Sequence, residues 1–164
     1  MKKTLSILLI LTSFSIHCHA KINLGIKLLS QNKRAIKILI TATNTSEKDS
    51  ILFYTPNKED ICMSLLSVYF IEQETKKIHE YFPCSWITDL DHINIVKANS
   101  TLLHPGQSYE FELNMKRKDI SPFLKKNKYD IEVSLSYNYA NFVSQLKHEI
   151  FKGDLKSNII VISN

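Results

Sequence analysis

The chain has 164 residues, with 21 Lys+Arg against 16 Asp+Glu for a formal net charge of +5, and 44% of its side chains are hydrophobic. That length suits one domain with a sizeable core, and with three glycines and four prolines the composition excludes a disordered or low-complexity chain. The excess of cations is too small to predict a nucleic-acid partner.

The first segment, residues 1–20, has the grammar of a secretory leader: Lys2 and Lys3 form a cationic head, Leu5 to Ile16 a mostly apolar stretch, and Cys18-His19-Ala20 ends on a small residue. The greasy stretch is about a dozen residues, against the roughly 20 that a membrane-crossing helix needs, so no transmembrane anchor is expected and cleavage should follow Ala20. Ile16 and His17 stand where a lipoprotein leader carries small residues, which argues against lipidation of Cys18. His17, Cys18 and His19 are adjacent on an extended chain and point in opposite directions, a poor start for a metal site. The paired lysines give the leader a bacterial look, with the periplasm or the medium as the address.

The mature chain, 21–164, reads as strands joined by turns. Ile22, Leu24, Ile26 and Leu28 alternate with polar residues, and Ile36, Ile38, Ile40 and Ala42 repeat the pattern before the polar turn Asn44 to Asp49. Ser50 to Tyr54 makes a short strand that stops at Thr55-Pro56-Asn57. Leu65 to Glu72 is apolar enough to be covered on both faces, and Gln73 to Lys77 is a charged loop that returns Ile78 to Phe82 antiparallel to it. Ser85 to Ala98 is the least regular stretch. Ser100 to Leu103, the turn His104-Pro105-Gly106-Gln107 and the alternating Tyr109, Phe111, Leu113 and Met115 predict a hairpin. Asp119 to Leu124 suits a brief helical turn. Tyr129, Ile131, Val133, Leu135 and Tyr137 form the clearest strand, and Leu146 to Phe151 and Leu155 to Ile162 complete the set. No segment after the leader sustains a helical period, so the expected fold is all-β: two antiparallel sheets packed face to face, with about seven to nine strands.

Loss of Cys18 with the leader leaves Cys62 and Cys84, one on each side of the predicted 65–82 hairpin. In an oxidising compartment a disulfide stapling the hairpin base is the favoured state, worth about 3 kcal/mol on chain-entropy grounds. Free thiols, or a copper or zinc site built from Cys62, Met63, His79 and Cys84, are the alternatives, although their spacing matches no compact ligand pattern.

The segments TLLHPGQSYEFELNM, NKYDIEVSLSYNY and FKGDLKSNIIVIS resemble the last strands of bacterial exported immunoglobulin-like sandwich domains. The resemblance covers roughly the last 65 residues. It implies a β-sandwich over 21–164 and offers Tyr129 as a corner tyrosine whose hydroxyl ties a connection. Trp86 follows Cys84 rather than lying between the cysteines, unlike antibody domains. The fold hosts many unrelated activities and names none.

No nucleophile elbow, zinc-binding histidine pair or phosphate loop is present, and His79, His92, His104 and His148 are scattered singly, so no cofactor and no catalysis are expected. Two clusters, Lys116-Arg117-Lys118 and Lys125-Lys126 with Lys128, flank the predicted helical turn and would meet at one end of a sandwich, a field suited to an acidic protein surface or an anionic lipid. Trp86, Tyr139 and Phe142 are the aromatic contact candidates, with Tyr137 more suited to packing. The expectation is a non-catalytic, exported, protein-binding domain of inhibitor or immunity type acting on an envelope or extracellular protein. A metal-handling protein is the alternative, and a small hydrolase a weaker one. Asn44 and Asn99 open Asn-x-Ser/Thr triplets, incidental in a bacterial envelope.

Overall fold

Alternating sequences become strands wherever one face can be buried, and the computed structural model, which describes residues 21–85, 93–125, 128–138, 142–148 and 150–163, shows this from the first residues onward. The strands are β1 (Ile22–Gln31), β2 (Ala35–Asn44), β3 (Ile51–Tyr54), β4 (Leu66–Glu72), β5 (Ile78–Glu80) and β6 (Ile93–Ile95). They continue with β7 (Ser100–Leu103), β8 (Ser108–Lys116), β9 (Lys128–Ser136), β10 (Phe142–Ser144), β11 (Asp154–Lys156) and β12 (Ile160–Ser163). A short α-helix, α1 (Arg117–Ile120), follows β8 directly.

One sheet runs β1-β2-β8 and the largest runs β11-β9-β4-β5, with β12 also on β9. β3 pairs with β7, and every pairing is antiparallel except the short parallel β6–β10 pair. Ile22, Leu24, Ile36, Ile38 and Met115 from the first sheet and Val68, Phe70, Ile131, Val133 and Leu135 from the second are all buried in one continuous core. That shared core makes the chain an all-β sandwich. The first twenty residues, read above as a leader, lie outside the described residues.

Four expectations need correction. The Pro-Gly turn is real, with Gly106 at φ +76° and Gln107 N donating to His104 O at 2.9 Å, but it does not close a hairpin. β7 pairs with β3 and β8 with β2, so the turn carries the chain from one sheet to the other. Leu146 to Phe151 is not a strand: residues 146–148 bend, and Ile150 makes a single parallel bridge to Leu52. The closing run splits into β11 and β12, because the Ser157 and Asn158 side chains leave the ladder to bond backbone at Val133 and Ile26. With β6 inside the stretch read as least regular and β10 in one to which no element was assigned, the described residues hold twelve strands, more than the seven to nine expected.

Cys62 and Cys84 are joined, with Cα atoms 5.7 Å apart, and staple the β4–β5 hairpin as expected. Tyr129 is fully buried and its hydroxyl donates to Phe123 O at 2.8 Å, tying the connection after α1 to the head of β9. Asn44 is fully buried too, its amide donating to Asp49 O and Leu103 O at 2.8 Å each, which leaves no room for a glycan. The Asn99 side chain is spent on Val96 N and Asn94 O.

Candidate functional site

The β2–β8 ladder sets Ala35 opposite Lys116, so the β1–β2 turn and the start of α1 meet at one end of the sandwich. Arg117 locks them together: its backbone N donates to Arg34 O at 2.8 Å and its Nε to Asn32 O at 3.2 Å. The turn is itself shaped by Asn32, whose side-chain oxygen accepts from Arg34 N and Ala35 N at 2.8 and 3.0 Å. Ser163 of β12 pairs with Lys128, bringing the head of β9 to the same end. Lys33, Arg34, Lys116, Lys118, Lys125 and Lys128 are exposed there and Arg117 is half-buried. Asp119 is the one acid of α1, and it faces Tyr81, whose burial, with that carboxylate adding to the effect, pushes its phenol up to about 12.

Between these elements lies an open cleft of about 600 Å³ lined by Gln31, Asn32, Lys33, Arg117, Ser121, Leu124 and Ser163. Among the described lining residues two cations, two hydroxyls and two carboxamides surround a buried leucine, with no histidine or carboxylate side chain in the set. The cationic and hydrogen-bonding groups of this set are of the kind that suits an anion held by charge-assisted hydrogen bonds. Of the predicted basic residues, Lys116, Arg117, Lys118 and Lys125 gather here, and Lys126 lies outside the described residues. Lys33 and Arg34 were missed by the sequence, since only the β2–β8 pairing brings them in.

The aromatic candidates fare differently. Trp86 and Tyr139 lie outside the described residues, and Phe142 is placed only by its backbone, on β10 opposite Ile93. Tyr137 packs: it is fully buried against Phe53 and edge-on to Tyr54, with ring centroids 5.6 Å apart in both cases. Its hydroxyl donates to Tyr54 O at 2.9 Å, and burial raises its phenol well above the ordinary value.

A second polar cluster sits below that aromatic group. Asp60 is fully buried at the end of a 3-10 turn over Lys58–Ile61, accepting from Asn57 N at 2.6 Å and from the Tyr54 hydroxyl at 3.0 Å. Burial outweighs those bonds and pushes its carboxyl up to about 6. Both its oxygens are bonded within the fold, so it is a structural group. The proposed soft-metal set is likewise spent. Cys62 and Cys84 are bonded to each other, and His79 holds Glu72 at 2.9 Å while stacking on Phe123 at 5.0 Å. Among the described residues no group of three or more His, Cys, Asp or Glu side chains is arranged to hold a metal ion, and no helix is long and apolar enough to cross a membrane.

No protein-family model matches the chain, and no curated protein matches it. Similar solved structures include β-glucosidase 3B from Thermotoga neapolitana in complex with glucose, 13% identical over 89% of this chain and 17% of that one, with a TM-score of 0.33. Another is a β-glucosidase from Kluyveromyces marxianus, also with glucose, 14% identical over 84% of this chain and 14% of that one, at 0.35. The chain thus spans less than a fifth of those enzymes. A likeness this loose carries no argument about fold or activity.

Proposed function

We propose that the mature chain is a non-catalytic, exported protein-binding domain, of inhibitor or immunity type, that docks an acidic surface of an envelope or extracellular partner through its basic end. The observation that carries this reading is the convergence of Lys33, Arg34, Lys116, Arg117, Lys118, Lys125 and Lys128 around a cleft whose described lining residues include no carboxylate side chain. Charges so placed raise the encounter rate with an acidic surface and reject basic ones. The closed Cys62–Cys84 bond supports export, since such bonds persist in oxidising compartments. The Tyr129 hydroxyl tie supports the immunoglobulin-like reading, where a corner tyrosine does the same work.

The test is capture from envelope extract with the wild-type chain and with an Arg34→Glu, Lys118→Glu, Lys125→Glu triple variant. An acidic partner held by the wild type, released by rising salt and lost from the variant is expected. A partner held equally by both refutes the assignment of the basic end. Mass spectrometry of the exported protein should give a chain beginning at Lys21.

A further inference from the structure

β1 and β12 lie against each other and run in the same direction without sharing a ladder. Asn158 fastens one end of this seam, its Oδ1 accepting from Ile26 N at 2.7 Å and its Nδ2 donating to Ile26 O at 3.1 Å. Gln31 fastens the other, its amide donating to Ser163 O, at the same interval along both chains. Between the fastenings Leu29, raised on a β-bulge, is 40% exposed, and Ile159 and Val161, on the outward face of the β12 segment, are 52% and 54% exposed. With Leu29 on β1, Val161 on β12 and Ile159 just ahead of β12, three large apolar side chains flank one seam and are not a scattered surface population. The strip ends at Gln31 and Ser163, the two residues through which the seam enters the basic cleft.

We propose that this continuous surface takes a short acidic segment of the partner, an apolar side chain lying on Leu29, Ile159 and Val161 and a neighbouring carboxylate entering the cleft at Arg117 and Lys33. The inference rests on the docking reading above and names its ligand. Arg117 suits the carboxylate because it is held before the ligand arrives, by Arg34 O through its backbone and Asn32 O through Nε, so little freedom is lost on binding. Half-buried, it acts in a weaker dielectric than the lysines around it. Free phosphate would satisfy the cations and gain nothing from the apolar strip. A lipid surface would touch the outermost lysines and weigh Arg117 no more than Lys118. An apolar core with one anchoring arginine and a charged rim is the anatomy of a protein interface.

The experiment titrates the mature protein, followed by amide NMR shifts, with the end-blocked peptide Gly-Leu-Glu-Leu-Glu-Gly, its glutamine counterpart, inorganic phosphate and phosphatidylglycerol vesicles. Saturable shifts at Leu29, Lys33, Ser121 and Val161 are expected with the glutamate peptide, and about tenfold weaker binding with the glutamine one. Arg117→Gln or Lys33→Gln should weaken the glutamate peptide by about tenfold and Lys118→Gln by less than about twofold. Leu29→Ser with Val161→Ser should weaken it by about fivefold. Equal losses from Arg117→Gln and Lys118→Gln, full displacement by phosphate, or vesicles in place of peptide shifting Leu29 and Val161 would each overturn the proposal. If the peptide fails to bind while an acidic partner is still captured by the wild type and lost from the triple variant, this subsite falls and the docking reading stands. If capture fails as well, both fall.

Discussion

Asp60 is fully buried, and its carboxyl, ordinarily at 3.8, is pushed up to about 6. Two opposing effects meet there: bonds from Asn57 N and the Tyr54 hydroxyl favour the charged form, and loss of water disfavours it by more. Between those two pH values the unfolded chain has released this proton and the folded chain has kept it, so unfolding releases a proton and rising pH favours it. The contribution of Asp60 is therefore greatest below pH 3.8, is lost as pH rises through 6, and is flat above. A gap of about two units corresponds to about 3 kcal/mol. Asp60→Asn removes the titration and, since an amide offers one oxygen, also loses one of the two bonds at every pH, a fixed cost of about 1–3 kcal/mol. Urea unfolding of both proteins from pH 3.5 to 7.5 should show the wild type losing about 3 kcal/mol relative to the variant across the window. Carbon NMR of the wild-type Asp60 carboxyl should give a midpoint near 6 even if the variant folds poorly. Parallel stability curves, or a wild type that gains on the variant as pH rises, would mean that the two hydrogen bonds outweigh burial, and the ranking of effects would be wrong.

Asn158→Ala leaves both backbone groups of Ile26 without the amide they now share, and should cost about 2 kcal/mol in urea unfolding; it should also speed amide exchange at Ile26. Tyr129→Phe keeps the buried ring and loses the hydroxyl's bond to Phe123 O, so a loss of about 1 kcal/mol is expected, with the near-ultraviolet dichroism otherwise preserved. Alkylation of unfolded, unreduced protein comprising residues 21–164 should add no label, whereas reduction should expose Cys62 and Cys84 and lower stability by about 3 kcal/mol, measured by thermal or urea melts.

What the sequence yields here depends on how local the determinant is. β2 and β9 were legible because Ile36 to Ala42 and Tyr129 to Tyr137 bury every second side chain, and that period survives whatever the strands pair with. The cysteine staple was legible for a similar reason, since the two sulfurs bracket one local hairpin. The Pro105-Gly106 turn misled because turn chemistry fixes a reversal of direction, while partner choice was decided by β2 and β3, far upstream. Most of the basic end could be read from the two local basic clusters; Lys33 and Arg34 could not, being brought there by a ladder some eighty residues long in sequence separation. Asp60 did leave a signal: Asn57 and Asp60 have the spacing of a reciprocal cap, and the structure closes it in both directions. Nothing local marks Asn158, whose role exists only once β1 lies beside it.

That seam would also constrain how the proposed partner binds. An unpaired strand edge invites another strand, and proteins commonly block such edges with charge, proline or a covering loop. Here side-chain amides do it: at Ile26 both backbone groups are taken by Asn158, and at Ser163 the carbonyl is taken by Gln31. A segment arriving over β1 and β12 therefore finds the backbone at those two points already satisfied and has little to gain from extending a ladder. What the seam offers outward is side chains, apolar at Leu29, Ile159 and Val161 and cationic where it enters the cleft. Recognition by side chains is selective in a way that ladder pairing is not, because a partner lacking the matching apolar group or carboxylate forfeits the contact instead of replacing it with main-chain bonds. The same amides that hold β1 against β12 would thus make the proposed docking surface one that discriminates by sequence.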